Sequence, residues 1–338
     1  MATQIRWQQT DLPQPQLKLL DTAQHRVGRG EYRGLEFFEV EAKRLINTLP
    51  PGPLPFRHTI NVYRGCSHAC TYCFARPTHD YLGLDIGRDF DTKIVVKTNA
   101  VARVRYETAP SRWAGEPIAM GTNTDPYQAA EGRYKLTRGV IEVLAERANP
   151  FSILTKSTLV LRDLDLLAEA ALTADIAVDF SIGTLDEDVW RLTEPGTPHP
   201  MRRIEAVAKL NDAGVPTGVL MGPVLPGLSD DRAGIEAVVT AALGAGAVRL
   251  SALLLHLKPG LRDHYLSFLE TQRPDLVEMH RRRYATRSYA AKTDQQALTA
   301  MVRKCIARHG GLRPTPRPRP SPPVRTTTSP TTQLDLGL

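Results

Sequence analysis

Three of the chain's four cysteines lie in Arg64-Gly65-Cys66-Ser67-His68-Ala69-Cys70-Thr71-Tyr72-Cys73-Phe74. Their C-x3-C-x2-C spacing supplies three thiolates to one metal centre, and no fourth cysteine follows nearby. An iron–sulfur cluster of four irons that is held by protein alone needs four ligands. The segment therefore predicts a [4Fe–4S] cluster in which one iron is left open for chemistry.

Strand-like and helix-like segments alternate around and beyond the cysteines at a spacing of roughly 30 residues, as in βα units. Six or seven such units predict an α/β fold with a parallel sheet, and they favour a barrel or partial barrel over a short open sheet. No GxGxxG motif follows the first strand, so a dinucleotide-binding fold has little support. The predicted strands are 59–63, 93–97, 117–121, 151–155, 177–182, 217–224 and 248–255, with helices between them at 136–147, 161–172, 201–213 and 232–243.

Polar and glycine-rich segments follow these strands directly. In a parallel barrel the active site forms at the carboxyl ends of the strands, so we expect these segments to meet there. The cysteine segment comes first, after the strand at 59–63. The others are 122–131, 156–157, 183–184 and 226–229.

The three cysteines have two other interpretations. His68 or His79 could complete a Cys3His zinc site, or the thiols could be buried and inert. Structural zinc sites usually pair two short cysteine knuckles, and this chain has a single close triplet. The spacing and its place after the first strand favour the iron–sulfur interpretation. Arg76 and His79 either shape the cluster pocket or cap a short helix.

The composition fits a soluble protein of ordinary type. The 338 residues can form a full α/β barrel or two smaller domains, and 42% hydrophobic and 23% charged residues are typical values. No apolar run approaches the length of a membrane span, and the first residues lack the apolar region of a secretory signal. Clustered cysteines fit a reducing compartment. We therefore expect a cytoplasmic protein with no membrane partner.

Positive charge is concentrated near the end of the chain. Residues 271–330 carry 13 Lys and Arg against 3 Asp and Glu, a local charge of +10. Because the whole chain has a net charge of +7, the remainder is at −3. This asymmetry indicates a polyanionic partner such as nucleic acid, with a solvated tail as the alternative.

The sequence predicts four parts. Residues 1–55 form an N-terminal extension that ends in a proline-rich turn, and residues 56–257 form the core barrel. Residues 258–311 form a helical extension with helices at about 263–270, 274–287 and 294–309. Residues 312–338 are rich in Pro, Arg, Ser and Thr and are expected to be a disordered basic tail.

The cysteine motif, followed by the aromatic residue Phe74, resembles the radical S-adenosylmethionine (SAM) superfamily over roughly residues 58–257. The flanking residues 64–79, the segment 121–131 and the segments 154–157 and 162–163 are similar to the branch that contains spore photoproduct lyase, a DNA repair enzyme. Within that branch, the chain is similar to actinobacterial proteins of unassigned substrate. The segments 194–198 and 223–230 also match the branch and are interpreted as loop-shaping elements.

The resemblance implies a partial (β/α)6 barrel of the TIM type and two cofactors, a [4Fe–4S] cluster on Cys66, Cys70 and Cys73, and SAM. Reductive cleavage of SAM would give a 5′-deoxyadenosyl radical that abstracts a substrate hydrogen. It also implies a one-electron donor of the flavodoxin or ferredoxin type. The substrate implied by the branch is damaged or modified nucleic acid. A protein or small-metabolite substrate is one alternative, and a non-catalytic zinc-stabilised nucleic-acid-binding module is another.

The polar segments after two later strands are the predicted SAM-binding residues. In the family the first of these loops helps to hold the amino group of SAM, and a lysine suits its carboxylate. The alternatives are an Asp-Pro turn and a surface Lys beside a helix-capping Ser. Ser181, on the next strand, is a weaker candidate. The predicted set is Gly121, Thr122, Asn123, Thr124, Asp125, Glu131, Lys156 and Ser157.

One feature departs from spore photoproduct lyase. That enzyme uses a hydrogen-donating cysteine after the cluster motif in the first half of its barrel. This chain has no cysteine between Cys73 and Cys305, which argues against thymine-dimer repair by the same route. Cys305 lies in a predicted late helix and is interpreted as a small buried hydrophobe.

Two C-terminal segments suggest partners. Residues 280–289 form a basic, tyrosine-bearing helix that suits phosphate contact and base stacking, or an ordinary solvated face. The segment 333–338 is similar to the peptide by which bacterial repair proteins bind the DNA sliding clamp. Gln333, Leu336 and Leu338 match that peptide, and a flexible preceding linker is what tethering requires.

Overall fold

The computed structural model describes residues 20–52 and 54–315. In this part of the chain, strands β1 to β11 form a seven-stranded sheet of order β11-β10-β9-β8-β7-β4-β3 and a four-stranded sheet of order β1-β2-β6-β5. In chain order the strands are Gln24–Val27, Glu36–Val40, Ile46–Thr48, His58–Ile60, Tyr63–Arg64, Lys93–Lys97, Ile118–Met120, Phe151–Thr155, Ile176–Ser181, Thr217–Val224 and Leu250–Leu254.

The larger sheet confirms the predicted α/β class with parallel strands. Its six strands from β4 to β11 run parallel, and only β3 at one edge pairs in the antiparallel sense. Buried residues along the strands, such as Ile153, Val178 and Met221, belong to one core with the flanking helices. The α-helices are Arg88–Thr92, Ala100–Glu107, Ala129–Tyr134, Leu136–Glu146, Leu164–Thr173, Glu187–Thr193, Pro200–Asp212, Arg232–Gly244, Leu261–Gln272, Pro274–Arg283 and Lys292–Arg308.

The smaller sheet corrects one prediction. Residues 93–97 form a strand, but β6 pairs with β2 and β5 and takes no place in the larger sheet. The segment 121–131 therefore follows the second parallel strand of the larger sheet, β7, and not the third. Strands β1, β2 and β3 were not predicted, since residues 24–48 show no clear periodicity.

The C-terminal helices pack against the cysteine segment. Cys70 and Tyr72 share a buried cluster with Leu261, Tyr265 and Tyr284. The predicted helical extension thus covers the carboxyl ends of the strands beside the cysteines. Cys305 is 2% exposed in the main core, as expected of a small buried hydrophobe.

Two predictions cannot be compared with the structure. The proposed clamp-binding segment 333–338 and most of the predicted basic tail lie outside the described residues.

Among residues 20–52 and 54–315, no helix is both long and apolar enough to cross a membrane.

Candidate active site

The cysteine loop begins directly after β5, at the carboxyl side of the first parallel strand. Gly65 has φ of +82°, and a Cβ there would lie 2.8 Å from the Lys93 carbonyl oxygen. The loop then turns on itself, because the Cys73 N–H donates to the Cys70 carbonyl at 3.2 Å. These constraints hold the three cysteines on one tight loop.

The three thiols are buried together. Cys66 and Cys70 are 6% and 7% exposed, and Cys73 is partly buried. Burial raises the pKa of all three thiols, that of Cys70 to about 12, and neighbouring thiols add to the rise at Cys66. A bound metal reverses this preference, because a coordinating thiol is deprotonated. The donor set therefore fits a group that supplies positive charge.

The positions of the three thiols are relevant to the kind of metal group that they could hold. Among the residues that the structure describes, no group of three His, Cys, Asp or Glu side chains is placed to hold a single metal ion. In a [4Fe–4S] cluster each thiolate binds its own iron, so its ligands need not converge on one point. The chemistry of three clustered thiols suits such a cluster.

Two buried polar side chains fix the backbone of the loop. Arg76 is 2% exposed, and its Nε donates to the Cys70 carbonyl at 2.9 Å while its Nη2 pairs with Asp91 at 2.8 Å. Gln128 is fully buried, accepts from the Ser67 N–H at 3.1 Å and donates to the Gly65 carbonyl at 2.8 Å. Arg76 thus holds the backbone of the cysteine loop and is not merely a helix cap, while a role in shaping a cluster pocket stays a prediction.

A second anchor comes from the segment after β9. Tyr72 donates to Glu194, and Glu194 forms an ion pair with the fully buried Arg203 at 2.6 Å. The Gly196 N–H donates to the His68 carbonyl at 3.1 Å, and a Cβ on Gly196 would overlap the Ser67 carbonyl oxygen. The segment 194–198 is therefore a loop-shaping element, as predicted, and it acts on the cysteine loop.

The loop after β7 is held from the side by Asn61. The Asn61 side chain accepts from the Asn123 and Thr124 N–H groups at 3.1 and 3.4 Å, and it donates to the Thr122 hydroxyl at 3.3 Å. Thr124 is 4% exposed, whereas the Asn123 side chain is exposed. Gly121 has φ of +85° and starts the turn. Of this loop, Thr122 and Asn123 present accessible polar side chains.

Asp125 joins the loop after β7 to the loop after β8. Its carboxylate accepts from the Thr155 hydroxyl at 2.7 Å and from the Lys156 N–H at 2.6 Å, and it lies 3.4 Å from His68 Nδ1. Burial alone would raise the pKa of Asp125, but His68 and these donors hold it below the ordinary value. Asp125 therefore ties both predicted SAM-binding loops to the cysteine loop.

Lys156 and Ser157 have different positions after β8. The Lys156 ammonium donates to Ser181 at 2.7 Å and lies 5.7 Å from the centre of the Tyr72 ring, so its charge faces the cysteine loop. The Ser157 hydroxyl accepts from the Leu159 N–H at 3.2 Å and caps the short helix that follows. The structure thus brings Lys156 and Ser181 together at the site and makes Ser157 a capping residue.

Glu131 lies in an interior network. It is fully buried, and its carboxylate accepts from Tyr63 at 2.5 Å, from the Thr137 N–H at 2.9 Å and from Arg162 at 2.8 Å. Arg162 also pairs with the buried Asp163. With its donors already supplied by the protein, Glu131 is placed to position the loop, and its predicted direct contact with SAM stays a prediction that this geometry does not favour.

Similarity to known proteins identifies the family of this chain. The sequence profile of the radical SAM superfamily matches residues 60–235. An uncharacterized protein of Mycobacterium tuberculosis is 42% identical over 290 residues, which cover 85% of each chain. This chain belongs to the radical SAM superfamily. Members of this superfamily use a [4Fe–4S] cluster and SAM, so these are its cofactors.

Solved structures of spore photoproduct lyase share the fold. A spore photoproduct lyase complexed with dinucleoside spore photoproduct has a TM-score of 0.61 at 18% identity, covering 83% of this chain and 82% of that chain. A variant of the same enzyme with bound AdoMet and dinucleoside spore photoproduct has a TM-score of 0.60 at 18% identity, covering 82% and 81%. At these identities the likeness establishes a common fold.

The basic helix predicted from the sequence is only partly available to a partner. Arg281 and Arg283 pair with Glu270 and Asp294 at 2.5 and 2.7 Å. Tyr284 is fully buried and donates to the Leu255 carbonyl at 2.9 Å. The prediction of a helix over 280–289 was wrong beyond residue 283, because the helix Pro274–Arg283 ends there and Tyr289 lies in a β-bridge with His256. Arg281 and Arg283 form ion pairs and Tyr284 is packed inside, so this segment is neither a continuous basic helix nor a simple solvated face.

Substitutions of Glu131 and Lys156 are expected to change different quantities, which are the stability of the fold for Glu131 and SAM binding for Lys156. Glu131→Gln breaks a buried ion pair and should lower the free energy of unfolding by about 3 kcal/mol, while leaving the Kd for SAM within about twofold. Lys156→Met removes a cation that faces the cysteine loop and should weaken SAM binding by about tenfold or more. Chemical denaturation and anaerobic calorimetry measure the two quantities. A Glu131→Gln protein of normal stability that no longer binds SAM would show that Glu131 contacts the cofactor.

Proposed function

We propose that this radical SAM protein is an enzyme that abstracts a hydrogen atom from damaged or modified nucleic acid. The observation that supports it best is the set of three clustered thiols, Cys66, Cys70 and Cys73, two of them buried and one partly buried, on one anchored loop at the carboxyl ends of the parallel strands. A [4Fe–4S] cluster held by these cysteines would supply the electron that cleaves SAM to the 5′-deoxyadenosyl radical.

The protein's own contribution is to bind, orient and shield. The three cysteines would hold the cluster, and Arg76 and Gln128 fix the loop that carries them. Lys156 offers a cation for the carboxylate of SAM, and the Thr122 and Asn123 side chains offer acceptors for its amino group. The C-terminal helices packed on the cysteine loop exclude water from this side of the site.

Nucleic acid is the proposed substrate class for two reasons. The structurally similar spore photoproduct lyases are complexed with a dinucleoside photoproduct, and residues 271–330 of this chain carry a charge of +10. The sequence between Cys73 and Cys305 contains no cysteine, so hydrogen return to the product would not follow the thiol route of that enzyme. We propose a flavodoxin- or ferredoxin-type electron donor, and sliding-clamp binding by residues 333–338 stays a separate proposal.

Anaerobic turnover tests the proposal. Reconstituted protein, reduced with dithionite in the presence of SAM, should release 5′-deoxyadenosine, and a matching damaged oligonucleotide from a panel should increase that release. Oligonucleotide affinity should fall with salt, because phosphate contacts release counterions. Release of 5′-deoxyadenosine without any salt-dependent binding of DNA or RNA would retain the radical chemistry and overturn the nucleic-acid substrate.

A further inference from the structure

An aromatic side chain stands exposed beside the cluster loop. Phe74 directly follows Cys73, yet its side chain is 43% exposed. The Lys258 ammonium lies 5.8 Å from the centre of the Phe74 ring. The exposed ring therefore lies next to the cysteine loop with a cation beside it.

A second aromatic surface adjoins it at the carboxyl end of the last parallel strand. His256 and Tyr289 stack with ring centres 3.9 Å apart and planes within 8° of parallel, and their backbones form a β-bridge. Leu255 and Leu257 are buried against the C-terminal helices, so His256 and Lys258 alternate onto the opposite side of the chain. Tyr289 is 57% exposed although its ring stacks on His256.

The charges of this surface suit a nucleic-acid ligand. Burial lowers the pKa of His256 to about 4, and the nearby Lys258 contributes, so His256 is neutral at physiological pH. The stacked pair is therefore an uncharged aromatic surface, and Lys258 is the cation that joins it to Phe74. Flat aromatic rings beside a cation are the groups by which proteins hold unpaired bases and phosphates.

We propose that Tyr289, stacked on His256, forms with Lys258 and Phe74 a platform on which an unpaired nucleobase of the substrate stacks next to the cluster loop. This platform rests on the proposed function, since it serves a nucleic-acid substrate. It locates base contact at Tyr289 and not along the paired arginines of residues 281–283. The rigid backing by His256 pre-orients the tyrosine ring, so little side-chain entropy is lost on binding.

The test measures binding of a fluorescein-labelled single-stranded oligothymidylate of roughly 12 nucleotides by anisotropy, using the reconstituted full chain. Tyr289→Leu should weaken binding by about tenfold without changing the salt slope, and Tyr289→Phe should bind within about twofold of the natural protein. Lys258→Gln should reduce the salt slope by about 0.7, the amount expected for one lost phosphate contact.

Tyr106 provides the matched control. Tyr106 is 51% exposed and belongs to the helix Ala100–Glu107, and the Arg112 guanidinium lies over its ring at 4.4 Å. This helix precedes β7, whereas the platform follows β11. Tyr106→Leu should bind the oligonucleotide as the natural protein does. Equal affinities of Tyr289→Leu and Tyr106→Leu would overturn the platform alone. A natural protein without salt-dependent binding would overturn the platform together with the nucleic-acid substrate.

Discussion

Replacing Cys66, Cys70 and Cys73 together by Ala is expected to abolish both the cluster and the release of 5′-deoxyadenosine. The natural protein should bind about four iron and four sulfide per chain after anaerobic reconstitution, and the triple variant should bind almost none. The reason is that these three clustered thiols are the soft ligands that would bind the iron of the cluster. Iron and sulfide analysis, with the visible absorption of the cluster, measures the result.

Cys305→Ala is the matched control for the loss of a thiol. Cys305 is 2% exposed in the core around Leu298 and Val302, far along the chain from the cysteine loop. Its removal should cost about 1 kcal/mol of stability by loss of packing, and should leave the iron content and SAM cleavage unchanged. Retention of cluster absorption by the triple variant, or its loss in Cys305→Ala, would show that the ligands are assigned wrongly.

Local sequence was enough to predict the strands of the larger sheet that are strongly apolar. The predictions at 151–155 and 217–224 have the bounds of β8 and β10. The predicted strand 93–97 also has the bounds of β6, but its assignment to the parallel sheet was wrong. Its partner β2 lies more than 50 residues upstream in a segment without clear periodicity, and pairing over such a distance is not encoded in the strand itself.

The cysteine loop was predictable because its spacing is a chemical requirement. Its anchors were not, since Gln128, Glu194 and Arg203 reach the loop from elements far apart in sequence. The carboxylates Asp125 and Glu131 look equivalent in the sequence. Only the fold shows that one joins the loops at the site, while the other is enclosed by donors in an interior network.

Gly121→Ala is expected to be the most damaging single substitution in the loop after β7. Gly121 has φ of +85°, which disfavours any side chain. A Cβ at this position would also overlap the Leu154 carbonyl oxygen and approach Pro126 Cδ to 3.1 Å. Since Leu154 belongs to β8, its backbone cannot move without disturbing the sheet. We expect a loss of about 3–5 kcal/mol of stability, with SAM binding weakened because the loop that carries Asn123 is displaced.

Gly115→Ala separates the cost of the positive φ from the cost of the steric overlap. Gly115 has φ of +77°, similar to that of Gly121, but a Cβ there would meet nothing within 4 Å. It should therefore lose only the backbone cost of about 1–2 kcal/mol and bind SAM normally. Thermal unfolding and anaerobic calorimetry on both variants measure the difference. If Gly121→Ala were no less stable than Gly115→Ala and bound SAM equally well, close packing of the β7 loop on β8 would not be what positions the SAM-binding residues.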